Sequence, residues 1–176
     1  MNGENIVAQT NLDSKLNINK LAISKIHDFK LDESLAWMKE LLQELNEDVK
    51  MGFVSPSSQA SISCEGQYYK KHRAEYGEYA VVQGTLKAKF YTNDVSNGKV
   101  MLDDLEVDFC ACFLGAHFKN DPNYKDEIEF YVDNQTMDLF FLDNVYIDLK
   151  EAFHEYLFLN KDPYPRIDNK IENQAE

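Results

Sequence analysis

The sequence predicts an α+β fold: an antiparallel β meander with an N-terminal helix and a short C-terminal helix, in a single domain. Three observations carry this expectation. Within residues 99–118, Leu105, Val107, Phe109, Ala111 and Phe113 fall at every second position, which the pleat of a strand sends to one face. Upstream, Val82, Leu86, Ala88 and Phe90 repeat the alternation, and Asn97-Gly98 supplies the turn that folds the two stretches into a hairpin. Leu35, Met38, Leu41, Leu42 and Leu45, and then Leu149, Ala152, Phe153 and Tyr156, recur instead at helical spacing.

Taken in order, residues 1–14 are polar and without pattern, and read as a disordered amino terminus. From Lys15, Leu16 and Ile18 lie in one phase and Leu21 and Ile23 in the other, so a strand with a bulge is expected there. The first helix runs from about Asp32 to Glu47, with Asp32 or Ser34 as its cap and Trp37 beside its apolar stripe. Gly52 and the Ser-Pro-Ser-Ser segment then mark a loop. Residues 59–69 read as a strand, followed by Lys70, Lys71, His72 and Arg73 in a turn.

Residues 78–91 form the next strand, with Thr85, Lys87 and Lys89 on its wet side, and across the hairpin Glu106, Asp108, Cys110 and Cys112 share the face opposite the core. A second turn spans residues 115–123. Ile128, Phe130 and Val132 alternate as another strand, and residues 137–142 are apolar and short enough to favour a strand too. Asp148 stands three residues before Glu151 as in a capping box, opening the last helix, which Pro163 and Pro165 forbid from continuing. The domain is thus expected over residues 15–168, with 169–176 as a flexible tail.

Composition narrows the function classes. Among 176 residues, 18 Lys and Arg face 31 Asp and Glu, a formal charge of -13. A surface that acidic repels phosphate backbones as a whole and attracts basic proteins. Three cysteines without an export signal suggest reduced thiols and a cytoplasmic location, and no run reaches membrane-spanning length. No nucleophile with an ordered base, no Gly-rich phosphate loop and no cofactor motif stands out, so an enzyme is not the expected class.

A few residues still invite a role. Lys70, Lys71 and Arg73 could meet RNA, although four basic residues in a turn are commonly just solvated. Cys110 and Cys112 have one residue between them where a zinc knuckle uses two; they read as packing thiols, with a metal site completed by His117 as the alternative. His154 reads as a solvated side chain on the last helix. Exposed aromatics such as Tyr131 and Phe140 could instead line an apolar groove.

Ile147-Asp148-Leu149, then Glu155, Leu157, Leu159, Pro163 and Pro165, resemble the closing segment of the bacterial YceD family, associated with accumulation of large-subunit ribosomal RNA. Val82-Gln83-Gly84-Thr85-Leu86-Lys87-Ala88 is similar to that family's glycine-bearing strand, and Cys110-Ala111-Cys112-Phe113-Leu114 looks like a shortened form of its cysteine turn. A hairpin separates this cysteine pair from the glycine strand, so no role is carried over to it. The resemblance implies a non-enzymatic factor in ribosome biogenesis, supporting 23S ribosomal RNA accumulation or large-subunit assembly. It would bind a basic ribosomal protein or pre-ribosomal particle, with Asp148 as helix cap and Glu155 as a partner contact. The competing expectation is a chaperone-like or secretion-associated protein-binding module.

Overall fold

The computed structural model describes residues 7–46, 59–124, 127 and 129–166. The loop expected after Gly52, the tail at 169–176, residues 1–6 and Ile128 lie outside them. In chain order the elements are β1 (Lys15–Asn17), β2 (His27–Asp32), α1 (Ala36–Asn46), β3 (Ser61–Arg73), β4 (Gly77–Asn93) and β5 (Val100–Leu114). They continue with β6 (Glu129–Val132), β7 (Gln135–Phe141), β8 (Tyr146–Asp148) and α2 (Leu149–Asn160), and short 3-10 turns stand at Ile18–Lys20 and Ala116–Asn120. The first helix therefore follows two strands. Among the described residues no helix is long and apolar enough to cross a membrane.

The main sheet has the order β2-β3-β4-β5-β7-β6, and β1 pairs with β8 apart from it. From β2 to β5 it is the expected antiparallel meander, with Asn93 opposite Val100 across the hairpin turn. Beyond β5 the expectation of a meander fails. Strand β7 joins β5 in parallel over Ala111–Leu114, and β6 pairs antiparallel on the outer side of β7. A parallel neighbour needs a crossover of roughly a dozen residues or more, and the segment holding the second 3-10 turn and β6 provides it.

Local chemistry explains two other departures. The phase change after β1 is a 3-10 turn where a bulge was expected, and the Asn17 side chain caps it by accepting from the Asn19 N–H at 2.9 Å. Strand β3 runs through Lys70–Arg73 where a turn was expected, so the chain reverses at 74–76, ahead of Gly77 with φ +68. Strand β2 carries the alternation of Phe29 and Leu31, both buried, a signal too short to stand out beside the helix that follows.

One face of the sheet is covered by both helices. Met38, Leu41, Leu42 and Leu45 of α1, with Leu149, Ala152, Phe153, Tyr156 and Leu157 of α2, bury against Leu86, Val107, Phe109 and their neighbours. Asp148 caps α2 by accepting from the Glu151 N–H at 3.0 Å. The Trp37 indole N–H donates to the Leu12 carbonyl at 2.8 Å while its ring leans on Phe153, so Trp37 belongs to the core edge. Of the amino-terminal stretch expected to fray, Gln9 bridges Phe29 and accepts from the Tyr68 hydroxyl, and Leu12 is buried.

A second, smaller core sits on the opposite face at one end. Tyr79, Val81, Cys112 and Leu114 meet Phe130, Val132 and Met137 there, with Tyr76, Phe118 and Tyr124 stacked edge to face. The rest of that face is wet.

Candidate functional site

The open part of the second face is built by register. Asp32, Ser63, Lys87 and Glu106 form one row across β2 to β5; Lys30, Glu65, Thr85 and Asp108 form the next; Asp28, Gln67, Gln83 and Cys110 form a third. These residues alternate with buried ones along each strand, so the pleat delivers all of them to one surface. Asp28, Asp32, Glu65, Asp104, Glu106 and Asp108 outnumber Lys30, Lys87 and Lys89. The face is acidic, but lysines are threaded through it.

The third row is a hydrogen-bond ladder across five strands. Gln135 donates to the Cys110 sulfur at 3.4 Å, the Cys110 thiol donates to Gln83 at 3.7 Å, Gln83 to Gln67 at 3.4 Å, and Gln67 to the Asp28 carboxylate at 2.9 Å. Every donor points toward Asp28, the one formal charge in the row. Gln67, Gln83 and Asp28 line a shallow depression of about 640 Å³ that Glu65, Thr85 and Asp108 extend toward the second row. The Thr85 hydroxyl donates to Asp108 at 2.6 Å. Such a surface offers charge and hydrogen-bonding groups over a broad area, as a macromolecular partner requires.

Beneath the depression, on the helix-covered side, Gly66 and Gly84 are register partners. A Cβ on Gly84 would lie 2.3 Å from the Glu65 carbonyl oxygen, and one on Gly66 only 2.1 Å from that of Gln83. Only glycine allows the two strands to come this close.

The residues singled out from sequence fall elsewhere. Lys70 is buried, its ammonium 3.3 Å from Glu78, and its carbonyl accepts from the Ser24 N–H. Lys71 lies over the Tyr69 ring, and Arg73 is bonded to Asp133. The basic cluster is thus divided among three local partners, because strand alternation sends its members to opposite faces. Asp148 serves as the helix cap. Glu155 is exposed on α2 as a residue, but partial desolvation of its carboxyl, followed by the charges of Glu151 and Asp138, pushes that group up. His154 pairs with Glu44 at 3.3 Å and stacks on Phe158, joining α2 to α1.

Cys110, Cys112 and His117 do not converge. Among the described residues no group of three or more His, Cys, Asp or Glu side chains is placed to hold a metal ion. Cys112 is sealed in the smaller core, where burial pushes its thiol up to about 12, and His117 lies against Phe118 over Gly115. Burial, followed by the Asp138 charge, also raises the Cys110 thiol, which leaves it a protonated donor and a poor nucleophile. Phe140 packs between Phe113 and Tyr156, so it forms no open groove with the exposed Tyr131.

Sequence reasoning passed over Gln67, Gln83, Gln135 and Asp28. The usable signal was phase: Gln83 is in step with Thr85, Lys87 and Lys89, already assigned to the wet side. Searches against known proteins return no matching family model, no similar curated protein and no similar solved structure.

Proposed function

We propose that this chain is a non-enzymatic factor in large-subunit ribosome assembly, resembling the YceD family, that docks a basic ribosomal protein on its open sheet face. The observation that supports this reading is the surplus of carboxylates on that face. Asp28, Glu65, Glu106 and Asp108 are held by the register of four strands, so a partner meets a preformed field. A net charge of -13 steers a cationic partner toward the chain, and the interleaved Lys30, Lys87 and Lys89 fix where acidic groups of that partner could lie. Phosphate backbones meet the same repulsion, so ribosomal RNA is approached through the bound protein.

Pull-down of the tagged chain from bacterial lysate, at low and at moderate salt, tests the reading. Basic ribosomal proteins should be recovered at low salt and lost progressively as salt screens the face. Recovery of no basic ribosomal protein at either salt would remove the proposal.

A further inference from the structure

Around Gln9 the amino-terminal segment straps the outer edge of β2. The Gln9 N–H donates to the Asp28 carbonyl at 2.9 Å, the Gln9 carbonyl accepts from the Lys30 N–H at 2.9 Å, and the Gln9 side chain accepts from the Tyr68 hydroxyl at 2.8 Å. One end of the strap is anchored, because Leu12 is buried and its carbonyl takes the Trp37 indole N–H. At the other end Ala8 helps to wall the depression that holds Asp28 and Gln67.

The ring that backs this arrangement is His27. It is the register partner of Tyr68 and stacks on it, with centroids 4.8 Å apart and planes at 11°. Its Nε2 is sealed from water and, among the described residues, has no hydrogen-bond partner. A neutral imidazole tolerates this by leaving the nitrogen as a bare acceptor, whereas an imidazolium donates from both nitrogens and would bury an unpaired charged N–H. The surroundings offer no relief. Lys25 precedes the ring, and Lys70, two residues past Tyr68 on the same face of β3, is itself paired with Glu78 at 3.3 Å. Helix α1 meets the sheet through Met38, Leu41, Leu42 and Leu45, and residues 7–12 carry no ionisable side chain. Burial, and then the Lys25 charge, accordingly hold the ring below the usual imidazole range. Attraction of an imidazolium to the Tyr68 face would offset only part of the cost, since stacking gives the Nε2 proton no acceptor.

We propose that His27 is a proton-operated latch: on protonation its ring leaves Tyr68 for solvent, Tyr68 loses its backing, and the strap lets go of β2 at Gln9. Release exposes the Asp28 carbonyl and the Lys30 N–H, and opens the end of the acidic face that Ala8 closes. The device operates whatever partner that face takes. Because the closed strap holds the ring neutral, closure is at full strength above about pH 6.5, where a solvated imidazole is neutral, and weakens as pH falls below it.

Amide exchange of the full chain from about pH 8 down to about pH 5, corrected for the intrinsic pH dependence of exchange, tests the latch. Protection of the Gln9 and Lys30 N–H groups should fall by up to about tenfold per pH unit below about pH 6.5, while those of Val82 and Val107 in the middle of the sheet keep theirs. His27→Phe keeps a ring against Tyr68 and removes the titrating nitrogen, so its protection at Gln9 and Lys30 should not change with pH. Where that variant does not fold, NMR titration of the His27 ring in the parent chain decides: the ring should protonate below about pH 6.5, in step with the loss of protection. Protection independent of pH in the parent chain, an equal fall in the Phe variant, or a ring that titrates at or above the usual value would overturn the latch.

Discussion

At Asp133 a single carboxylate accepts hydrogen bonds from the Arg73 guanidinium and from the Tyr79 hydroxyl, tying the β3–β4 end of the sheet to the β6–β7 turn. The Arg73 contact, and then the Tyr79 hydroxyl, hold the Asp133 carboxyl below the usual carboxylate range. A depressed folded-state value contributes stability that is present above the unfolded carboxylate pKa and is lost as pH falls through the folded value. Asp133→Asn should therefore lower Tm at neutral pH, and the gap to the parent chain should close as pH falls below the usual carboxylate range. Thermal melts across that range check this, and a gap independent of pH would contradict it. The same network gives Arg73 a carboxylate partner that its sequence neighbourhood did not suggest. A list of basic residues carries no information on the partner 60 positions away.

At the scale of elements, Gly66 and Gly84 oppose each other across β3 and β4, flanked in register by Phe29 on β2 and Phe109 on β5. Gly84→Ala places a methyl group against rigid backbone and should cost about 2–4 kcal/mol in urea unfolding. A variant as stable as the parent would show that the strands can part at no cost. On the covered face, Phe153 is fully buried and meets Trp37 and Phe109, so Phe153→Ala should cost about 3–5 kcal/mol by the same measurement.

Helices and long strands were legible because each has a strong period: Met38 to Leu45 at helical spacing, Leu105 to Phe113 at spacing two. Asp148 was legible as a cap because capping is local. The parallel docking of β7, the extension of β3 through Lys70 and the ladder from Gln135 to Asp28 were not legible. Each depends on which strands become neighbours, and pairing across long sequence separations leaves no local pattern.

At the scale of the whole molecule, two helices close one side of the sheet and a small aromatic core closes one end of the other, leaving a broad acidic surface on the rest of that face. Function on this account comes from the placement of charge, with Cys110 and Cys112 serving as a ladder member and a core residue. The most direct measurement is the large-to-small ribosomal subunit ratio in cells lacking the gene, complemented with the parent chain or with the combined Glu65→Gln, Glu106→Gln, Asp108→Asn variant. The account predicts a deficit of large subunits that the parent chain restores and the variant does not. A normal ratio in the deletion strain would contradict it.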